Sequence, residues 1–363
     1  MKIKKLKIRD FRNFESLEIE FGENIIVLLG ENAQGKTNIL ESISFMSTTR
    51  SFRNLNEQQM IKEGKDFANI QIQWEDDEKK VLSSVIHKEG KSFSLFQTPI
   101  LKTSEVIGLL SSVIFTPNEL EIFSNSPKYR RKMVDVEIGK VSKNYLFFLK
   151  KYTQLLKERN QYLKEEKIDD VYLETITEQL IEAMIPVVQF RKEIVLFLND
   201  KLSDKLKGIT KKENIVSVCY ETNISEDKDK NLKLFKKNEE KDKLFKQTQL
   251  GVHRDDISFY LDNKEVINHA SQGQKRMIVL SLKLTLIDYI EKMSGKKPVL
   301  LLDDVLSELD QKHRINLFES IPKEIQTIIT TTDLDEFHDS LKGKMEIYEI
   351  KENKAYKSME ERK

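Results

Sequence analysis

The stretch Gly30-Glu31-Asn32-Ala33-Gln34-Gly35-Lys36-Thr37 constrains this 363-residue chain more than any other. It has the form G-x-x-x-x-G-K-[ST]. It leaves a short apolar run, Ile25–Leu29, of the kind expected for a strand covered on both faces. A helix over residues 37–46 is expected to follow. Gly30 and Gly35 let the backbone curl so that its N–H groups point inward at phosphate oxygens. Lys36 offsets charge on the outer phosphates, and the Thr37 hydroxyl is suited to Mg²⁺. The positive end of the helix adds to the attraction. A chance match to four constrained positions occurs on the order of once in a hundred chains of this length. The strand-loop-helix context makes chance less frequent still.

Two further segments fit a phosphate site. Val299–Leu302 is an apolar strand that ends in Asp303 and Asp304. The first carboxylate at such a strand end holds the Mg²⁺ shell, and a second can orient or deprotonate water. Two acids opening a loop are common in isolation; the phosphate loop gives this pair its meaning. Ser271-Gln272-Gly273-Gln274-Lys275-Arg276 opens an apolar helix expected over 272–292. It reads either as a plain N-cap or as an anion-facing turn. Ser307-Glu308-Leu309-Asp310 follows the carboxylate strand, and Thr330-Thr331-Thr332-Asp333 ends the next strand, expected over 325–331.

The ends and the middle of the chain differ in texture. Leu17, Ile19 and Phe21 alternate with Glu18 and Glu20, the period of a half-solvated strand, and short strands are expected over 68–74, 81–87 and 92–96. The middle carries helical stripes, Tyr145–Leu163 and Ile176–Leu198. Pro186 is expected to kink or split the second. Residues 221–246 are rich in Lys, Asp, Glu and Asn and read as a mobile connection. Strand–helix alternation returns after about residue 250. The expected fold is therefore α/β, one head built from residues 1–125 and 247–363 with a helical arm, 126–246, inserted between. The arm holds 27 Lys+Arg against 21 Asp+Glu in a chain whose net charge is +1. That balance excludes a uniformly basic coat and leaves room for a local basic patch. One cysteine, Cys219, excludes a disulfide framework and a cysteine zinc site. No apolar run approaches the roughly 20 residues of a membrane helix, so the expectation is a cytoplasmic protein without a membrane partner.

Taken together, the phosphate loop, the Ser271 turn, the carboxylate strand, the Asp310 loop and the Thr332 position resemble the heads of ABC-type ATPases. That resemblance implies a homodimer sandwiching two ATPs with Mg²⁺. Thr37 and Asp303 would be the metal ligands and Asp304 the catalytic carboxylate. Residues 30–37 and Arg12 would bind nucleotide. Ser271 and Gly273 would act on the partner's γ-phosphate, Asp310 would lie at the seam, and Thr332 would replace the usual switch histidine. The sequence departs from transporter heads at Gln274, where a second glycine is usual, and at Asp304, where glutamate is usual. Asn118 or Glu119 are the candidates for the Q-loop position. From Thr37 to Ser271 is 234 residues, more than a transporter head has and hundreds fewer than an SMC coiled coil needs. Limbs of about 25 helical residues, roughly 40 Å, are expected.

Within that superfamily, Ile8–Phe14 resembles the opening of SMC and recombination ATPases. Ser126–Asp135, Gly251–Asp256 and Thr116–Leu120 resemble motifs of the bacterial RecF family, with Val252 where proline is usual. This resemblance implies a slow, DNA-stimulated ATPase and ATP-dependent dimerisation. It also implies binding to double-stranded DNA near single-strand/double-strand junctions, and work with RecR and RecO to load RecA. The competing functions are a transporter-coupled head and an overcoming-lysogenisation-type defence ATPase; the inserted helices weigh against the first, and the want of residues for a nuclease domain against the second. Arg130 and Arg131 read equally as phosphate contacts or as a solvated helical turn. His253 and Arg254 are expected to shape a turn or an interdomain contact rather than to supply a catalytic base, Cys219 to be core, and Trp74 to be core or strand-edge packing.

Overall fold

The structure is a computed structural model that describes residues 1–53, 56–124, 126–337 and 345–358. The chain forms two compact units, one from residues 1–120, 204–213 and 276–363, the other from 121–203 and 214–275.

Fifteen strands are found among the described residues. They are β1 (Lys2–Phe11), β2 (Phe14–Glu20), β3 (Ile25–Leu29), β4 (Phe67–Glu75), β5 (Lys79–His87), β6 (Gly90–Leu95), β7 (Thr98–Ile100), β8 (Ser112–Phe115), β9 (Val216–Glu221), β10 (Asp256–Leu261), β11 (Lys264–Glu265), β12 (Val299–Asp303), β13 (Thr327–Thr331), β14 (Met345–Lys351) and β15 (Lys354–Lys357). The first unit contains two six-stranded sheets. One has the order β15-β14-β3-β13-β12-β8, and the five strands from β14 to β8 are parallel. The other, β2-β1-β4-β5-β6-β7, is antiparallel. The helix Lys36–Thr48 contributes Ile39, Leu40, Ile43, Phe45 and Met46 to one core shared with both sheets, including Leu6, Phe14 and Trp74 from the antiparallel sheet and Ile26, Leu301 and Ile328 from the parallel one. The run Ile25–Leu29 lies between β13 and β14, which is why it is apolar without alternation. Parallel register brings Leu29, Thr331, Asp303 and Phe115 to one end of the sheet, the carboxyl end, where loops of parallel sheets gather their ligands.

The second unit is mostly helical. It holds the helices Pro127–Val141 and Lys143–Tyr162, most of Asp170–Thr210, the helix Lys228–Phe245, and the sheet β11-β10-β9. Several expectations change here. The helix Asp170–Thr210 runs unbroken through Pro186 for 41 residues, about 60 Å. Met184, Val187 and Val188 around the proline are fully buried, and that packing outweighs the lost backbone hydrogen bond. The limbs are therefore unequal, 20 residues in Lys143–Tyr162 against 41. Residues 228–245, read as a mobile connection, form a helix. Asp227 caps it through Asp229 N and Lys230 N, and Asn231, Phe235 and Asp242 are buried on one face. Three anchoring positions in a polar background escape a reading based on composition. Cys219 lies on β9 but is exposed, not core; Trp74 is fully buried. The second boundary lies at 275/276 and not at 246/247 because β10 pairs with β9 along Asp256–Leu261, which draws the segment before residue 276 into the helical unit; the first lies at 120/121.

Candidate nucleotide-binding site

The loop between β3 and its helix has the curl that the motif requires. Ala33 and Gly35 both adopt positive φ, 66° and 97°. A Cβ on Gly35 would lie 2.7 Å from Asn13 Nδ2 and from Phe14 Cζ, and one on Gly30 would lie 2.5 Å from the Ile350 carbonyl oxygen, so both positions exclude a side chain. Lys36 Nζ folds back onto its own loop, donating to the carbonyls of Gly30 and Glu31, the latter at 2.8 Å. Burial lowers its pKa, partly offset by Asp304 and Asp303. A cation held by loop carbonyls is poised to exchange those partners for a phosphate, which compensates its desolvation better.

Asp303 ends β12 and is 5% exposed. Its Oδ1 accepts from Thr37 Oγ1 at 2.9 Å and from Thr330 Oγ1 at 2.9 Å. Burial raises its pKa, while these two hydroxyls and Arg53 oppose the rise. Thr330 also accepts from the Asp304 backbone N–H at 2.9 Å. One hydroxyl on the neighbouring strand therefore fixes both members of the acidic pair. Asp304 takes a positive φ of 50° and is exposed, so the two carboxylates have opposite environments. Two hard oxygens, Thr37 Oγ1 and Asp303 Oδ1, within hydrogen-bond distance at the loop mouth fit a Mg²⁺ ion that takes its remaining ligands from water and phosphate. No cluster of three or more metal-binding side chains occurs among the described residues.

Thr332 follows β13 and is exposed, and Gly30 N donates to the Thr331 carbonyl at 3.3 Å, which keeps the two strand ends in step. Arg12 sits in the turn between β1 and β2. Its guanidinium donates to both carboxylate oxygens of Glu41, at 3.0 and 2.6 Å, and to the Gln59 carbonyl at 2.7 Å. Glu41 is completely buried and also lies 3.7 Å from Arg53. Glu41 and Arg53 carried no motif and were missed in the sequence; the spacing Arg12–Glu41 is 29 residues. Of the Q-loop candidates, Asn118 is exposed, and Glu119 pairs with Lys283 at 2.7 Å.

Ser271 forms a capping box. Its Oγ accepts from Gln274 N at 3.2 Å, and Gln274 Oε1 accepts from Ser271 N at 2.8 Å. Gln274, the departure from the glycine pattern, thus closes the helix start. Residues 271–274 are all exposed, and nothing lies within 4 Å of a Cβ on Gly273. Asp310 caps the helix Gln311–Ser320 by accepting from His313 N at 2.9 Å, and Arg276 pairs with Glu308 of the same loop at 2.6 Å.

The motifs in the second unit meet one another. Arg130 makes two bonds of 2.7 Å to Asp256, and Arg131 donates to the Asp255 carbonyl. Arg191, absent from any motif and 2% exposed, joins Asp135, the Val252 carbonyl and Asp255. Arg130 is thus neither solvated nor free. His253 bridges Tyr152 and the Thr248 carbonyl, and burial lowers its pKa to about 4.

A family profile described as the RecF/RecN/SMC N-terminal domain matches residues 2–356. The chain is 37% identical over 364 residues to the DNA replication and repair protein RecF of Lactobacillus delbrueckii subsp. bulgaricus, covering 96% of each. It is similar to a solved structure described as the recombination mediator protein RecF-ATP in the RecFOR pathway, with a TM-score of 0.89 and 29% identity over 98% of this chain and 97% of that one. An Smc head domain from Pyrococcus furiosus shares the fold, with a TM-score of 0.56 and 16% identity over 98% of this chain and 96% of that one.

Proposed function

The chain belongs to the RecF family of ABC-type ATPase heads, and from that premise we propose that it is an ATP-gated clamp for duplex DNA at single-strand gaps. The observation that carries this reading is the Thr37–Asp303–Thr330 assembly beside the loop 30–37, with exposed Asp304 as its neighbour. ATP binds with its phosphates on the loop N–H groups, and Lys36 moves from the Gly30 and Glu31 carbonyls to the outer phosphates. Thr37 and Asp303 would hold Mg²⁺, which would neutralise phosphate charge. Asp304, exposed beside the loop, orients the attacking water. Thr332, exposed just past β13, would take the place of the switch histidine towards the γ-phosphate. Arg12 belongs, on the family resemblance, to the nucleotide-binding set, with its guanidinium held by Glu41.

A lone protomer leaves the γ-phosphate open to solvent. The exposed turn Ser271–Gly273 of a second protomer supplies a hydroxyl and a helix N-terminus to cover it, with Asp310 at the seam. ATP therefore favours the homodimer by mass action, and hydrolysis releases it. Paired protomers present two basic middle segments to one duplex, which binds without base reading and more tightly at low salt. RecR, RecO and RecA act with the DNA-bound dimer, and hydrolysis is slow and stimulated by DNA. These roles accord with a cytoplasmic protein; no helix among the described residues is long and apolar enough to cross a membrane.

The test is equilibrium binding to duplex, single-stranded and gapped DNA with ATP, with ADP and without nucleotide. Tighter duplex binding and a steeper salt dependence with ATP are expected. Equal affinity and equal slope with ATP and ADP would overturn the gating.

A further inference from the structure

The phosphate loop is a strained segment that must keep its shape before any ligand arrives. Ala33, an L-residue at φ 66°, and Gly35 at φ 97° flank Gln34. Left-handed backbone is disfavoured at a residue with a Cβ, so something must hold it. The partners of Gln34 come from outside the loop and its helix. Gln34 Oε1 accepts from the Glu352 backbone N–H at 3.0 Å. The Gln34 carbonyl faces Asn13 Nδ2 at 3.5 Å, and that same Asn13 amide donates to Asn353 Oδ1. Asn13 Oδ1 in turn accepts from Asn38 Nδ2 at 2.7 Å, in the first turn of the helix that follows the loop. Asn13 therefore joins three segments: the turn after β1, the helix start and the chain terminus.

Glu352 and Asn353 are the two-residue turn of the β14–β15 hairpin, between the paired Lys351 and Lys354. Both have positive φ, 50° and 60°, the pattern of a type I′ turn, which favours Asn-Gly and suits glutamate poorly. A strained turn against a strained loop is an arrangement that the surrounding structure must over-determine. Register supplies the reason that the two meet. β14 runs parallel to β3 with Tyr348 opposite Leu28 and Glu349 opposite Leu29, so the hairpin tip emerges where the loop begins. The Ile350 carbonyl fills the space a Cβ would need at Gly30.

We propose that the tip of the C-terminal hairpin, through Asn353 and Asn13, is a positioning element that preorganises the phosphate loop for nucleotide. The inference rests on the loop being the ATP site. Its residues touch no phosphate themselves; they hold Gln34 so that the flanking N–H groups need not be ordered when ligand binds, which is where preorganisation gains affinity.

The test exploits the turn. Asn353→Gly keeps positive φ, suits a type I′ turn better and deletes only the side-chain acceptor. The full-length variant should unfold at the wild-type temperature or slightly above it. Its affinity for Mg-ATP, by equilibrium titration, should fall about fivefold, the loss of one net hydrogen bond of about 1 kcal/mol. Asn13→Ala should weaken ATP binding at least as much, and the double variant no more than Asn13→Ala alone, because both act through one bond. A role confined to folding would lower the unfolding temperature of Asn353→Gly and spare the affinity. Wild-type affinity in Asn353→Gly, or additive losses in the double variant, would overturn the proposal. Absence of ATP binding by the wild-type chain would instead overturn the reading of the loop as an ATP site.

Discussion

The phosphate-loop site and the helical unit use charge in opposite ways. In the first, Lys36 rests on carbonyls of its own loop, Asp303 is held by hydroxyls, and Asp304 is exposed. These are partnerships that a ligand can take over. In the second, Arg159 is 1% exposed and donates to Asp242, Thr177 and Thr248, each at 2.8 Å, while Arg191 is clasped by Asp135 and Asp255. These partnerships are complete, and there is nothing for a ligand to gain. The lesson concerns motifs. Gly30–Thr37 and Asp303-Asp304 mark chemistry. Ser126–Asp135 and Gly251–Asp256 mark the family just as well, yet Arg130 and Arg131 of the first meet Asp256 and the Asp255 carbonyl of the second and help build the helical unit.

The comparison is broken most severely by a variant of the exchangeable set. Asp304→Asn should keep ATP binding and lower turnover by about 100-fold or more, the usual contribution of a positioned general base. Steady-state phosphate release checks it, and wild-type turnover would move the base elsewhere.

The complete set should respond in stability instead. Arg159→Met leaves Asp242 buried without its cation and should destabilise the helical unit by about 3–5 kcal/mol. Chemical unfolding should show this, while ATP affinity, read under native conditions, stays at the wild-type value. Loss of ATP binding in a folded Arg159→Met protein would erase the distinction between the units.

How much of this contrast was legible in the sequence depends on range. The loop, its strand and helix, and the acidic strand end are local patterns, and the parallel sheet that joins them follows from apolar runs without alternation. Arg12–Glu41, Arg159–Asp242 and Arg191–Asp255 are separated by 29, 83 and 64 residues, and no periodicity links one member to the other. The RecF-like arginines at 130 and 131 looked as available as any others, because a sequence does not show that Asp256 and the Asp255 carbonyl come to meet them. The helix Lys228–Phe245 was hidden for a related reason: one buried aromatic and two buried polar anchors suffice to dock it, and a composition count treats the latter as solvated. Pro186 misled in the other direction, since a local rule for helix breaking yields to a well-packed surround.

The smallest expected effect sharpens the comparison through pH. His253 has its pKa lowered to about 4 by burial, against about 6.5 when unfolded. Between those values the unfolded chain takes up a proton that the folded unit refuses. Stability contributed by this group is therefore full above pH 6.5 and declines as pH falls towards 4. His253→Gln should flatten that part of the stability profile, measured by urea unfolding at a series of pH values. An unchanged slope would mean that other groups carry it.

The central claim, that residues 30–37 are an exchangeable phosphate site rather than a structural turn, is tested most directly by titrating Mg-ATP into Lys36→Ala. The variant should keep a cooperative unfolding transition, since removing a desolvated cation relieves a cost, and should show no measurable ATP binding. ATP affinity equal to that of the wild-type chain would contradict the account.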